Sequence, residues 1–75
     1  MKRVGEVVRT AQGLAIARCP EGTTPEIGTV VIDEDLTEVG RVVDVFGPVS
    51  RPYVAVTPED RTGLPALLGG KLYAR

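Results

Sequence analysis

Val39-Gly40-Arg41-Val42-Val43-Asp44-Val45-Phe46-Gly47-Pro48-Val49-Ser50-Arg51-Pro52-Tyr53-Val54-Ala55-Val56-Thr57-Pro58 is the stretch that decides how this chain reads. Two β-branched, apolar runs, 39–46 and 53–56, flank a loop broken by Gly47, Pro48 and Pro52, which is the pattern of strand, turn and strand. Both faces of the first run carry apolar residues. Under plain alternation Val42, Asp44 and Phe46 share one side, while Val39, Arg41, Val43 and Val45 share the other. Either the strand is covered on both sides within the domain, or its outer face is meant for a partner. With Val42 and Phe46 taken as inward, Val39, Val43 and Val45 point outward, where an apolar cluster marks an interface. Only a bulge near Asp44 would reverse part of that assignment.

The flanking sequence extends the β pattern in both directions. Residues 2–10 read as a strand, with Val4 and Val8 on one face and Gly5 and Val7 on the other. Ala11-Gln12-Gly13 then turns the chain into a second strand, 14–18, to form an antiparallel hairpin. Pro20, Gly22 and Pro25 make 19–28 a loop, and Thr29 to Ile32 is a third strand. Asp33-Glu34-Asp35 is a solvated turn: a calcium loop needs ligands at alternate positions, a central Gly and a distal Glu. After the organising hairpin, Thr57-Pro58-Glu59-Asp60 suits the start of at most one helical turn, which Gly63 and Pro65 stop from growing. Leu64, Leu67 and Leu68 are expected to plug one end of the core. Gly69-Gly70 leads into a last strand, 71–74.

Six short strands in 75 residues are marginal as an open sheet with two free edges. Closure removes the edges and gives the inward residues a common core, so the expected fold is all-β, a single domain over 1–75, closed into a small antiparallel barrel. No segment repeats at a fixed period.

Composition excludes several function classes. The chain has no His and one Cys, Cys19, so the usual neutral-pH proton carrier, an internal disulfide and a Cys/His zinc site are all missing. Cys19 reads as a small buried hydrophobe or a surface thiol. Gly69-Gly70-Lys71 lacks the upstream Gly and following Ser/Thr of a phosphate loop. A filled barrel leaves little room for a carboxylate pair with separated pKa values. No catalytic residue, metal, cofactor or small-molecule substrate is expected. No apolar run is long enough for a membrane span, and cytoplasm is the expected compartment. A net charge of −1 and only three aromatics, Phe46, Tyr53 and Tyr73, weigh against tight RNA binding by the isolated chain.

The block from Gly40 onward carries a sharper signal. Gly40, Val42, Asp44, Val45, Phe46, Gly47, Pro48 and Val49, then Pro52, Tyr53, Val54 and Val56, then Gly69, Leu72 and Tyr73, resemble the Gar family of box H/ACA ribonucleoproteins. The similarity extends to the opening Val4-Gly5-Glu6-Val7-Val8 and to Val30-Val31-Ile32-Asp33, and the missing Gly/Arg-rich tails fit its archaeal form. The resemblance implies a six-stranded barrel of the translation-factor and reductase β-domain type. It also implies a non-catalytic subunit that docks on the catalytic subunit of a pseudouridine synthase, meets guide and substrate RNA only through the complex, and promotes substrate loading and product release. The docking residues expected on these grounds are Val43, Val45, Phe46, Gly47, Pro48, Val49, Pro52, Tyr53 and Val54. Two other classes stay open: a generic β-barrel module for a different protein partner, and an independent RNA-binding barrel.

Overall fold

The structure is a computed structural model that describes residues 2–23 and 25–75, with the side chains of Arg61, Thr62 and Leu64 left out. Six strands form: β1 (Lys2–Ala11), β2 (Leu14–Arg18), β3 (Val30–Ile32), β4 (Glu38–Phe46), β5 (Tyr53–Pro58) and β6 (Lys71–Ala74). They close into a barrel in the order β1-β2-β5-β4-β3-β6, with every neighbouring pair antiparallel. The sequence-based expectation of a closed six-stranded barrel holds.

Local chemistry accounts for the turns. Gln12 (φ 52°) and Gly13 (φ 76°) are both left-handed, as a two-residue hairpin turn requires when its twist must match the strands. Asp33 builds the acidic turn: its Oδ1 accepts from the Asp35 N–H at 2.8 Å and from the Thr37 N–H at 3.0 Å. A 3-10 helix runs over Arg61–Leu67, longer than the single turn expected, and it starts later because β5 continues through Pro58. Pro58 is tolerated there as the last strand residue. Leu67 packs on the core, whereas Leu68 is exposed and does not plug it. The side chain of Leu64 and the loop residue Thr24 lie outside the described residues.

One six-residue pattern occurs twice, once in each of the two longest strands. Val4-Gly5-Glu6-Val7-Val8-Arg9 in β1 matches Val39-Gly40-Arg41-Val42-Val43-Asp44 in β4 as V-G-charge-V-V-charge. The structure treats the two alike. Register shifts at Val4 against β6 and at Val8 against β2, and β4 shifts at Val39 against β3 and at Val43 against β5. Val7 exchanges backbone bonds with Gly69 and Gly70, each 2.9 Å, and Val42 does the same with Gly28 and Thr29, at 2.8 and 2.9 Å. Exchanging β1 with β4, β2 with β5 and β3 with β6 returns the same ring, so the barrel has an internal two-fold.

The bulges set which residues face inward. An extra residue in one strand restarts its alternation, so β4 turns Val39, Val42 and Val45 toward the core at intervals of three rather than two. Across the strands run two inward rows, Val7–Ala17–Val54–Val45 and Ala15–Val56–Val42, all packed in or against one apolar cluster. Cys19 joins that cluster fully buried, and burial pushes its thiol above the ordinary value. In β1, Val4, Gly5 and Val7 are buried and Val8 is turned out, which corrects the grouping of Val4 with Val8.

Gly5 and Gly40 sit at equivalent places in the two halves. A Cβ on Gly5 would lie 2.5 Å from the carbonyl oxygen of Arg18, and one on Gly40 would overlap the carbonyl oxygen of Thr57. Both obstacles are backbone atoms at the ends of β2 and β5, which cannot swing aside as a side chain does. Gly40→Ala is therefore expected to cost at least about 1–3 kcal/mol, which lowers the melting temperature by roughly 4–8 °C per kcal/mol in a domain this small. Gly63→Ala, where an added Cβ meets nothing within 4 Å, serves as the control and should leave the melt unchanged or slightly raised. Equal melts for the two variants would contradict the close approach.

Candidate docking surface

The outward rows of β1-β2-β5-β4 carry the surface chemistry. Glu6 pairs with Arg18, Arg18 with Tyr53, and Tyr53 with Phe46, so these four side chains stand side by side outside the barrel. Phe46 and Tyr53 stack with centroids 5.7 Å apart and planes 13° from parallel. The Arg18 guanidinium lies over the Tyr53 ring at 5.5 Å from its centroid. Such aromatic and cation–π contacts contribute roughly 0.5–1.5 kcal/mol each, enough to fix the ring orientations on a partly exposed face.

Beyond Phe46 the chain enters the 47–52 loop. Gly47 takes φ +86°, and a Cβ there would come within 2.9 Å of Tyr53 Cδ1, so glycine provides both the turn and the room for the ring. The loop closes with Arg51 N–H donating to the Pro48 carbonyl at 3.2 Å. Its base is tied to the preceding loop: the Cys19 N–H donates to the Pro52 carbonyl at 2.9 Å and Gly22 N–H to that of Ser50 at 3.2 Å. These bonds hold Thr23 and Pro25 opposite Phe46, and a shallow groove of about 360 Å³ forms between the loops. Val45, Phe46, Gly47, Pro48, Val49 and Pro52 line its other wall. Val49 is 97% exposed, an apolar side chain with no internal contact to justify it.

Six of the nine residues expected to dock are thus gathered in one groove, and Tyr53 stands behind it against Phe46. Three orientations differ from expectation. Phe46 points outward, 36% exposed, not inward, and Val45 is half-buried against the core, not outward. The bulge at Val43 exchanges them. Val54 is fully buried in the core and cannot touch a partner. Val43 does face out, 41% exposed, but it is not among the groove-lining residues. Sequence reasoning did not single out Thr23 and Pro25, whose only local signal was a Pro-containing loop.

No group of His, Cys, Asp or Glu able to hold a metal ion occurs among the described residues, and none of their helices is long and apolar enough to cross a membrane. What the fold and groove define is a small closed β-barrel with a shallow, mostly apolar groove beside its β4–β5 loop.

The family model described as the Gar1/Naf1 RNA binding region matches residues 1–74, and the chain belongs to that family. Among curated relatives, an uncharacterised protein of Methanocaldococcus jannaschii is 42% identical over 50 residues, 67% of this chain and 58% of that protein. One from Methanothermobacter thermautotrophicus is 34% identical over 59 residues, 77% of this chain and 62% of that protein. The chain spans about three fifths of the length of these relatives. The solved structure of the Gar1 domain of Naf1 superposes with a TM-score of 0.74 at 18% identity, over 99% of this chain and 81% of that one, and so shares the fold.

The reversed orientations are checked by a matched pair of variants. Val45→Asp places a carboxylate against the core and should cost on the order of 2 kcal/mol or more, whereas Val43→Asp on the outer bulge should stay within about 0.5 kcal/mol. Thermal melts that rank the two the other way would restore plain alternation along β4.

Proposed function

We propose that this protein is a non-catalytic subunit of a box H/ACA-type ribonucleoprotein, cytoplasmic in location, that docks on the catalytic subunit of a pseudouridine synthase. It serves RNA-guided modification of ribosomal RNA by aiding substrate loading and product release. Membership of the Gar1/Naf1 family supports the ribonucleoprotein setting. The observation that carries the docking role is the groove itself: a wall of Phe46, Pro48, Val49 and Pro52 at a loop held by backbone bonds on both sides.

The physical case is one of preformed apolar recognition. An apolar residue from the partner that enters the groove is desolvated together with Val49 and Phe46, at about 25 cal/mol per Å² of apolar surface removed from water. The loop changes little on binding because Gly47, the Phe46–Tyr53 stack and the Cys19–Pro52 bond already fix it. Catalysis belongs to the partner in this reading, and the barrel acts by holding one conformation of it more tightly than another.

A pull-down with the purified synthase catalytic subunit, in the absence of RNA, tests the role. The wild-type chain should be retained. Val49→Asp should weaken the complex by more than tenfold, the usual cost of about 2 kcal/mol for a hot-spot change, with the melt unchanged because the side chain touches nothing inside. Retention of the variant at wild-type affinity would remove the groove from the interface.

A further inference from the structure

A second site lies on the same outward face, at the other end of the row that Phe46 begins. Arg3 from β1, Arg18 from β2 and Arg51 from the β4–β5 loop converge on a pocket of about 230 Å³, with Glu6, Val8 and Pro20 as its remaining lining. Three guanidinium groups face one carboxylate there, in a chain whose overall charge is −1.

The arginines are held but not neutralised. Arg51 Nε donates to the Cys19 carbonyl at 3.3 Å, and among the described residues its terminal NH₂ groups have no acceptor. Arg18 is positioned by the Tyr53 ring and has no carboxylate within salt-bridge distance among the described residues. Arg3 approaches Glu6 only at 3.9 Å, with both side chains about half exposed, a pair that contributes little. Ordered guanidinium forks with free donors match the oxygens of a phosphate, which each can bind through two parallel N–H groups.

We propose that this pocket is a phosphate-contact site for single-stranded RNA, with Arg3, Arg18 and Arg51 as its ligands and Val8 and Pro20 as an apolar floor. The inference rests on the ribonucleoprotein reading above and places in the fold the contact that the family's description attributes to its members. A lone cluster of three cations fits one or two phosphates. It supplies positioning without base specificity, and too little charge for tight binding by the free chain. The pocket and the groove lie at the two ends of the Arg18–Tyr53–Phe46 row, so a partner in the groove leaves the arginines uncovered. An acidic protein segment is the competing occupant. The family's RNA description and the pairing of bare arginines with an adjacent aromatic favour the nucleic acid.

Titration of ¹⁵N-labelled protein with heptauridylate at low salt, with no synthase present, reads weak binding directly. Perturbed signals are expected from the Nε–H groups of Arg18 and Arg51 and the amides of Glu6 and Val8, fading as salt is raised. The Arg18→Gln/Arg51→Gln variant should lose tenfold or more in affinity, and the slope of log K against log salt should flatten by about one per arginine, while the barrel stays folded with a melt lowered only by the loss of the Arg18–Tyr53 and Arg51–Cys19 contacts. Absence of perturbation, or perturbation confined to 45–52, would overturn the assignment. So would hexaglutamate producing the same shifts at lower concentration, which would give the pocket to an acidic protein segment. The pull-down contains no RNA and this titration no synthase, so either can fail without the other.

Discussion

The barrel leaves no room for a side chain where Gly5 meets the end of β2 and where Gly40 meets the end of β5. A barrel of six short strands closes only if its two longest, β1 and β4, bend sharply enough to pair on both edges. Each does so with a bulge at the Val-Gly step, where a side chain would strike a carbonyl, and a second bulge four residues on. Bulges increase the local twist, and glycine permits the contact that the twist brings about. The rest of the structure follows from these two places, the three-residue spacing of inward valines in β4 included.

That spacing also decides what the surface is made of. Were β4 to alternate without interruption, Phe46 would enter the core and Val45 would take its place outside. The bulge at Val43 instead sends Phe46 out beside Tyr53, and the ring pair then fixes the start of the Gly47 turn. Chemically the face has apolar residues at one end, arginines at the other and an aromatic pair between. Cys19, the one thiol of the chain, is buried in the core, and that burial raises its pKa.

The sequence was legible wherever a residue's role depends on its own neighbours. Ala11-Gln12-Gly13 as a hairpin turn, Asp33-Glu34-Asp35 as a solvated turn, Gly47-Pro48 as a strand breaker and the number of strands were all readable from local chemistry. Orientation along β1 and β4 was not, because a bulge is a property of two paired strands and only the register reveals it. Val54 illustrates the same limit: it is apolar in a strand next to the docking loop, and only its pairing with Ala17 and Val45 shows that it faces inward. The repeated V-G-charge-V-V-charge pattern was the available signal. Two identical glycine steps in two strands mark two identical bends, and a bend in a strand is where alternation fails. The arginine pocket was invisible for a different reason: its three cations come from three separate segments.

The central claim is that the bulged hairpin presents the 45–52 groove as the docking face. Hydrogen–deuterium exchange of the protein with and without the synthase catalytic subunit tests it most directly, because exposed loop amides exchange fast unless a partner covers them. The account predicts added protection in peptides spanning 45–53 and 20–25, with β3 and β6 unchanged. Protection confined to β3, β6 and the Asp33 turn, with the 45–53 peptides exchanging as in the free protein, would contradict it.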